Sequence, residues 1–257
     1  MARIIALVNQ KGGVGKSTTA VNLGAALAVL GKRVLVVDSD PQGNATTGLG
    51  VDKPGLTRDV YDLLLQEASV DDVLVATDLE GLWLVPATIN LAGAEIELVS
   101  AMSRETRLRQ AIVPIAPQYD FVFIDCPPSL GLLTINALTA ADECIIPVQA
   151  EYYALEGLSQ LTRVVQRVRE ALNPPLHVSG VLVTMFDGRT RLATEVLEEL
   201  VKFFPKEMFK TQIPRNVRLS EAPSYGKPVI VFDVKSRGAQ AYLALAREML
   251  QPAEIHA

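Results

Sequence analysis

A glycine-rich stretch near the N-terminus carries two lysines where a phosphate-binding loop needs one. The stretch reads NQKGGVGKST over residues 9–18. In the pattern G-x-x-x-x-G-K-[ST], backbone N–H groups hold phosphates and one lysine neutralises the outer ones. Lys16 occupies the position of that lysine, and Gln10 stands where the pattern has its first glycine, directly before the additional Lys11. The pattern predicts phosphate binding and leaves Lys11 without a role.

The surroundings of this stretch strengthen the prediction. It follows a strand-like run at residues 4–8 and precedes a helical pattern, so that backbone N–H groups and the positive end of a helix face one anion. An ordinary glycine-rich turn is the alternative, but strand, Gly-Lys-Ser and helix coincide here. The Ser17 hydroxyl is placed to bind a Mg²⁺ that accompanies the phosphates. The residues expected to contact the phosphates are Gly12, Gly13, Val14, Gly15, Lys16, Ser17 and Thr18.

Aspartates close two later strand-like runs. Asp38 and Asp40 follow the run at residues 34–37, and Asp125 ends the run at residues 121–124. An aspartate that closes a strand beside a phosphate loop usually holds the metal, directly or through water, although an isolated one is more often a cap or turn residue. In an extended segment Asp38 and Asp40 point the same way, so one could support the metal shell and the other orient a water. Ser17, Asp38 and Asp125 are therefore the predicted metal residues.

Short apolar, β-branched runs alternate with longer helical patterns along the chain. Strands are predicted at residues 4–8, 34–38, 82–86, 121–125, 144–148, 178–184 and 229–232. Helices are predicted at residues 17–30, 93–111, 131–140, 155–172, 190–203 and 236–250. This alternation indicates an α/β fold of the P-loop type, a mainly parallel twisted sheet with helices on both faces. Ligands bind beyond the carboxyl ends of such strands, so the loop and the aspartates should share one site.

Composition sets further limits. The 257 residues are enough for one large α/β domain, and we predict a single domain over residues 1–257. No apolar run is long enough for a membrane span and no secretory signal precedes residue 9, which favours the cytoplasm. Cys126 and Cys144 form no C-x-x-C pair and should be reduced and buried. The net charge is −5, yet residues 180–257 hold 11 Lys and Arg against 9 Asp and Glu, which is compatible with a phosphate-binding face.

Several stretches together resemble one family of proteins. KGGVGKS at residues 11–17 resembles the deviant Walker A motif of the ParA/MinD ATPases, and VDSDPQGNAT at residues 37–46 resembles the second motif of that group. Three later stretches are similar to the chromosomal ParA branch, also called Soj. They are IDCPPSLGLLTINAL at 124–138, PVQAEYYALEGLSQL at 147–161 and IPRNVRLSEAPSYGKP at 213–228. The resemblance covers nearly the whole chain.

The resemblance implies roles for Lys11 and Asp40. In the family the additional lysine, here Lys11, reaches across a dimer interface to phosphates of the other subunit, so that two ATP molecules lie between two protomers. A lysine that neutralises the γ-phosphate only in the dimer would give ATP and ADP different dimer affinities. A side chain at Gly12 would crowd the approach of backbone to phosphate. Asp40 would orient the attacking water, and hydrolysis should be slow because no histidine lies nearby in sequence.

The last third of the chain is similar to segments with other contacts in the family. Residues 184–187 and 213–216 resemble segments that flank adenine, and they supply Met185, Pro214 and Asn216 as candidates, although Met185 could equally be core. Basic residues in the family form a DNA-binding face across the ATP dimer, whereas most exposed arginines are simply solvated. The candidates here are Arg189, Arg191, Arg215 and Arg218, with Arg189 and Arg218 favoured.

Three classes of function follow. The first is a nucleoid-associated DNA-partitioning ATPase, whose ATP homodimer binds nonspecific double-stranded DNA and is released when a ParB-type partner stimulates hydrolysis. The second is a MinD-like membrane-associated division regulator, which would end in a basic amphipathic helix, whereas residues 247–257 read REMLQPAEIHA. The third is a metabolic ATP-dependent ligase or an iron–sulfur reductase, for which Cys126 is poorly placed. We expect the first, with no membrane partner.

Overall fold

A mostly parallel sheet forms the centre of the protein. The computed structural model describes residues 2–151 and 154–251, without the side chains of residues 154–156. Within these residues the strands are β1 (Arg3–Leu7), β2 (Val34–Asp38), β3 (Val75–Ala76), β4 (Leu82–Val85), β5 (Phe121–Asp125), β6 (Glu143–Gln149) and β7 (His177–Thr184). Their order across the sheet is β3-β4-β2-β5-β1-β6-β7. Every neighbouring pair is parallel except β3 and β4.

Helices cover both faces of this sheet. They are α1 (Lys16–Val29), α2 (Asn44–Gly48), α3 (Val60–Leu65), α4 (Val70–Val73), α5 (Leu91–Glu97), α6 (Arg107–Ile112), α7 (Leu132–Ala140), α8 (Ala154–Ala171), α9 (Arg191–Phe203), α10 (Val217–Glu221), α11 (Val229–Phe232) and α12 (Arg237–Leu250). Helices α1 and α12 pack on one face, over the side chains of Ile5 and Leu7. Helices α3 and α5 to α9 pack on the other, over Ile4 and Ala6. The alternation along β1 buries both faces of the sheet.

The predicted fold class is confirmed, and so are six of the seven predicted strands to within one residue at each end. The prediction of a strand at residues 229–232 was wrong, because this run is the single-turn helix α11. Pro228 precedes it, and the N–H groups of Val231 and Phe232 donate to the Pro228 carbonyl at 3.0 Å. Val229 and Ile230 are buried beside α1. A four-residue apolar run fits either structure, and packing decides here.

The helix predicted at residues 93–111 is also broken in the structure. It is replaced by α5, two short 3₁₀ turns and α6. Ser103 lies in the left-handed region with φ 52° and interrupts the helical path. Asn136 of α7 supports the break, because its side chain accepts from the N–H of Leu108 and donates to the carbonyl of Arg104. A tertiary contact therefore overrides the local helical pattern.

Two expectations concern membranes and the end of the chain. Among the described residues, no helix combines the length and the apolar character that crossing a membrane requires. The comparison of residues 247–257 with a basic amphipathic helix falls mostly on residues 252–257, which lie outside the described range, as do residues 152 and 153 of the stretch at 147–161. Cys126 and Cys144 are free and buried, as expected.

Candidate functional site

The predicted phosphate loop, residues 8–15, joins the end of β1 to the first residue of α1. Gly13 and Gly15 have φ values of 73° and 90°, in the region that favours glycine. The N–H of Thr19 already donates to the Gly15 carbonyl at 2.9 Å, so the helix begins directly at the loop. A Cβ on Gly12 would meet only the Cβ of Pro128, at 3.9 Å. The chain itself leaves room at position 12, so a need for glycine there would come from a bound group.

The two lysines of the loop point in different directions. Lys16 is buried, and its Nζ lies 3.4 Å from the carbonyl oxygen of Lys11, folded back over the loop. Burial lowers the pKa of the Lys16 amine, while the charges of Asp125 and Asp40 act in the opposite direction. Lys11 is exposed, and its Nζ donates to the carboxylate of Glu151 at 2.5 Å. Only Lys16 is therefore held over its own loop.

Asp125 provides a carboxylate suited to a cation. It is fully buried at the end of β5, in register with Asp38 on β2. Neither carboxylate oxygen has a hydrogen-bond partner of good geometry among the described residues. Burial and then the charge of Asp38 raise the pKa of Asp125 well above its usual value, and the nearby Ser17 hydroxyl and Lys16 oppose this rise. A buried carboxylate without donors is costly, and a cation would compensate it.

The arrangement of Ser17 and Asp125 fits Mg²⁺, which prefers hard oxygen ligands and keeps several waters. The described residues contain no group of three or more His, Cys, Asp or Glu side chains that could hold a metal. A Mg²⁺ that binds through substrate phosphates, one hydroxyl and waters does not need such a group. Ser17 and Asp125 are therefore the residues that would hold it.

Asp38 is also buried, but the chain itself satisfies its carboxylate. Oδ2 accepts from the N–H of Thr46 at 2.8 Å and from its hydroxyl at 2.7 Å, and Oδ1 accepts from the N–H of Asp40 at 3.2 Å. Burial raises the pKa of Asp38 to about 6, although these hydrogen bonds act against the shift. Through these hydrogen bonds Asp38 holds together the two ends of the loop at residues 39–45. Its place in the metal shell stays a prediction.

Asp40 lies in that loop and lines the cavity beside the phosphate loop. Its Oδ1 accepts from the N–H of Gln42 at 2.9 Å, and its carbonyl accepts from the N–H of Gly43 at 2.8 Å. Among the described residues none donates to Oδ2. One oxygen of the carboxylate is thus fixed by the loop, and the other is available to a water.

Two adjoining cavities form a cleft beyond the carboxyl ends of the strands. The first, of about 350 Å³, is lined by the phosphate loop, Lys16, Ser17 and Asp40. The second, of about 240 Å³, is lined by all three residues predicted to flank the base, Met185, Pro214 and Asn216. Both cavities share Met185, a non-glycine residue with φ 50°. Such strain is typical of functional positions, which favours the ligand-contact alternative for Met185 over a purely packing role.

The four candidate arginines do not form one cluster. Arg189 and Arg215 line a groove of about 970 Å³ next to the base cavity, and Arg191 and Arg218 lie outside it. Three of the four pair with a nearby carboxylate: Arg189 with Asp187 (2.6 Å), Arg191 with Glu195 (2.7 Å) and Arg218 with Glu221 (2.8 Å). Exposed pairs of this kind contribute little free energy and are screened by salt. They leave these arginines able to exchange partners with a phosphate.

Sequence reasoning missed two basic residues beside these cavities. Lys227 lines the phosphate cavity, and Arg237 lines the groove. Arg237 follows the N-cap Ser236 of α12, a position that the helical pattern could have indicated. The position of Lys227 depends on the tertiary contact between Gly50 and the neighbouring Gly226. These two glycines approach so closely that a Cβ on Gly50 would come within 2.7 Å of the Gly226 carbonyl oxygen. No local pattern predicts that approach.

The parallel sheet, the glycine-rich loop and the helix that follows it define a P-loop nucleotide-binding protein. A sequence model of a family described as AAA domain matches residues 2–178. Over 249 residues the chain is 61% identical to the sporulation initiation inhibitor protein Soj of Bacillus subtilis, covering 97% of this chain and 98% of that protein. Over 251 residues it is 54% identical to the chromosome partitioning protein ParA of Myxococcus xanthus, covering 98% and 89%.

Among solved structures, the chain is similar to cobyrinic acid a,c-diamide synthase from Mycobacterium smegmatis with a bound ATP analog and magnesium. The TM-score is 0.86 at 40% identity, and the match covers 97% of this chain and 95% of that one. Identity to the Soj and ParA relatives is higher, at 61% and 54%. The chain belongs to the Soj/ParA family.

Proposed function

We propose that this protein is an ATP-dependent partitioning ATPase that acts as a homodimer. Two ATP molecules with Mg²⁺ lie between the protomers, and the dimer binds double-stranded DNA with little sequence preference. Slow hydrolysis, stimulated by a ParB-type partner, returns the protein to monomers and releases the DNA. The Soj and ParA relatives support the partitioning ATPase, at more than half identity over nearly the whole chain. The proposal treats residues 1–257 as one domain that works at the nucleoid in the cytoplasm.

The observation that carries the proposal is the divergence of the two loop lysines. Lys16 folds over its own loop, whereas the Lys11 amine lies on the exposed side, where it pairs with Glu151. Lys11 also lines a polar cavity of about 600 Å³ together with Asn9 and Gln149. An exposed ion pair contributes roughly 0–1 kcal/mol, so a triphosphate presented by a second subunit competes well for this amine. The geometry thus suits a contact made in trans.

Hydrolysis follows from the positions of the groups around the cleft. Loop N–H groups and the N-terminus of α1 bind the phosphates, and Lys16 neutralises the β- and γ-oxygens. Asp40 accepts a hydrogen bond from the attacking water through Oδ2 and holds it in line with the γ-phosphate. The Lys11 amine of the partner subunit would neutralise charge that develops on the γ-oxygens. Because a carboxylate is a weak base at neutral pH, the reaction is slow.

Ser17 and Asp125 would hold the Mg²⁺, Ser17 through its hydroxyl and Asp125 directly or through water. When bound, Mg²⁺ supplies positive charge that stabilises the β- and γ-phosphates during transfer. The bound cation would compensate the negative charge of Asp125, which is buried away from solvent. Met185, Pro214 and Asn216 contact the base, with the side-chain amide of Asn216 free to donate because its oxygen caps α10.

The decisive experiment compares oligomeric state in ATP and in ADP. Sedimentation velocity of the wild-type protein should show dimers with ATP and Mg²⁺ and monomers with ADP. Lys11→Ala should remain monomeric with ATP while still binding the nucleotide. Glu151→Gln is the matched control, because it breaks the same ion pair and keeps the amine. It should dimerise with ATP at least as well as the wild type.

Two outcomes would contradict the proposal. A Lys11→Ala protein that dimerises normally with ATP would remove the role of Lys11 in trans. A wild-type protein that stays monomeric with ATP, and that turns ATP over only when a small-molecule acceptor is added, would instead favour an activity of the kind named by the cobyrinic acid a,c-diamide synthase of Mycobacterium smegmatis.

A further inference from the structure

The loop that carries Asp40 is anchored firmly at its two ends. At its start, the Asp40 N–H donates to Asp38 Oδ1. At its end, the N–H and hydroxyl of Thr46 donate to Asp38 Oδ2, and the Ala87 N–H donates to the Thr46 hydroxyl at 3.0 Å. Asp38, Asp40 and Thr46 are all buried. The middle of the loop lies nearer the surface, since Gln42 is exposed.

One side chain from outside the loop holds this middle part. The Nζ of Lys53 donates to the carbonyl oxygen of Gln42 at 2.7 Å. The N–H of the same residue, Gln42, donates to Asp40 Oδ1 at 2.9 Å. Lys53 is therefore two hydrogen bonds away from the Asp40 carboxylate, which lines the cavity beside the phosphate loop. Lys53 itself does not line either nucleotide cavity.

Gly43 makes the approach of Lys53 possible. It lies in the left-handed region with φ 61°. A Cβ at this position would come within 2.6 Å of the Ala87 carbonyl oxygen and 2.9 Å of Lys53 Nζ. The loop is thus packed closely between Ala87 and Lys53. This packing restricts rotation of the peptide group between Gln42 and Gly43.

From these contacts we propose that Lys53 is a positioning residue for ATP hydrolysis, which acts on Asp40 through the backbone of Gln42. The inference rests on the proposed function, because it assumes that Asp40 orients the attacking water. Without the Lys53 amine, the peptide group between Gln42 and Gly43 can rotate. The Gln42 N–H belongs to the preceding peptide group, so the freedom reaches the donor of Asp40 Oδ1 through the backbone torsions of Gln42. The water held by Oδ2 is then out of line for part of the time. A misplacement of about 1 Å can cost up to 100-fold in rate.

The expected result separates turnover from binding. Lys53→Met keeps the hydrocarbon stem and removes the donor, so kcat for ATP hydrolysis should fall about ten-fold. KM for ATP should stay within about two-fold, because Lys53 itself does not line the nucleotide cavities. Lys53→Arg should retain most of the activity, since a guanidinium can also donate to the carbonyl. Lys206→Met, an exposed lysine beyond α9, is the matched control and should leave kcat unchanged.

A double-mutant cycle identifies the route of the effect. Single-turnover hydrolysis with labelled ATP would be measured for the wild type, Lys53→Met, Asp40→Ala and the double variant. If Lys53 acts through Asp40, its substitution should not slow the Asp40→Ala protein any further. Thermal unfolding and ATP-dependent dimerisation of each variant check that the fold is retained, and Lys53→Gln provides a second neutral variant.

Four results would overturn the inference. An unchanged kcat in both neutral variants would show that the loop needs no tether. A ten-fold loss that persists in the Asp40→Ala background would show an independent action of the lysine charge on the nucleotide. A rise in KM equal to the loss in kcat/KM would mean a role in binding. A wild-type protein without ATPase activity would remove the proposed function itself, and the cycle distinguishes that failure because the wild type is its first corner.

Discussion

Two regions differ in how firmly the fold holds their side chains. The phosphate edge comprises Lys16, Asp38 and Asp125, and the basic groove is the one lined by Arg189 and Arg215. At the phosphate edge Lys16, Asp38 and Asp125 are buried, and each lies at the end of a central strand or the start of α1. At the groove Arg189 and Arg215 are exposed and lie on connections after β7. The first region is fixed before any ligand arrives, and the second is adjustable. The proposed function would use this difference, with selective chemistry at the phosphates and unselective contact with DNA.

The largest effect should come from the buried lysine at the phosphate edge. Lys16→Ala removes the loop lysine whose amine is held over the loop, and the affinity for ATP should fall about 100-fold or more, because charge-assisted contacts to two phosphates are lost. Titration calorimetry with a non-hydrolysable ATP analogue measures this. The exposed Lys206→Ala serves as control. Comparable losses in both variants would mean that burial at the loop carries no special weight.

A second large effect should separate hydrolysis from binding at the same edge. Asp40→Ala should bind ATP and dimerise, but release phosphate about 100-fold more slowly, because the water loses its acceptor. Phosphate release recorded beside the dimer fraction tests this, and the protein should accumulate as the DNA-bound dimer. Unchanged release would place the water on another residue.

At the exposed arginines, inside and outside the groove, single changes should cost less free energy of DNA binding, and the loss should depend on salt. Arg189→Glu or Arg218→Glu should weaken DNA binding by the ATP dimer about ten-fold at low salt and leave dimerisation intact. Each change removes one contact per protomer, so the slope of log K against log salt should become shallower by about two. Retention on unrelated duplexes at several salt concentrations measures both quantities. Arg58→Glu, paired with Asp72 away from the groove, is the control. Binding to one sequence only, or equally in ATP and ADP, would refute the proposed DNA face.

The smallest expected effect concerns stability and its dependence on pH. The unfolded chain loses the Asp125 proton near pH 3.8, whereas the folded chain keeps it to a higher pH. Wild-type stability without nucleotide should therefore decline as pH rises through this interval. Asp125→Asn lacks this loss and should melt roughly 2–6 °C higher at pH 8, with a smaller gain near pH 5. It should also lose Mg²⁺-dependent hydrolysis.

Asp120, the residue directly before β5, should change the pH dependence of stability in the opposite direction. The backbone N–H of Arg33 lowers the pKa of Asp120, so its charge supports the folded state above pH 3.8. Asp120→Asn should therefore lower the melting temperature slightly at pH 8. An Asp125→Asn protein that is less stable than the wild type at pH 8 would show that the carboxylate is not strained in the absence of a cation.

The sequence predicted the phosphate edge well because its information is local. A strand, a glycine-rich loop with Lys16 and Ser17, and a helix follow one another within about thirty residues, and each has its own pattern. The aspartates were found by their places at strand ends, and parallel pairing then brought Asp38 beside Asp125. These residues could be predicted because the pattern that indicates a strand also marks its carboxyl end, where ligands bind in a parallel sheet.

The remaining features depend on contacts between distant segments. The helix break at Ser103 needs Asn136, the helical turn at Val229 needs the surface of α1, and the Lys53 tether needs Gly43 and Ala87 in close approach. The two-residue strand β3 is too short to show a period. The spacing of the arginines in the sequence did not indicate that Arg189 and Arg215 line the groove while Arg218 lies outside it. Such features are set by packing, which single-sequence patterns do not encode.

The position of β1 in the sheet also has a consequence for synthesis of the chain. β1 leaves the ribosome well before its neighbours β5 and β6, which it contacts with Arg3 opposite Phe121 and Ile5 opposite Glu143. At typical elongation rates the interval until β6 has emerged is roughly 10–30 s. Until β5 emerges β1 has neither of its neighbours in the sheet, and until β6 follows it lacks the second one. The phosphate site can therefore be completed only after β5 and β6 have both been synthesised, because β1, which leads into the phosphate loop, lies between them.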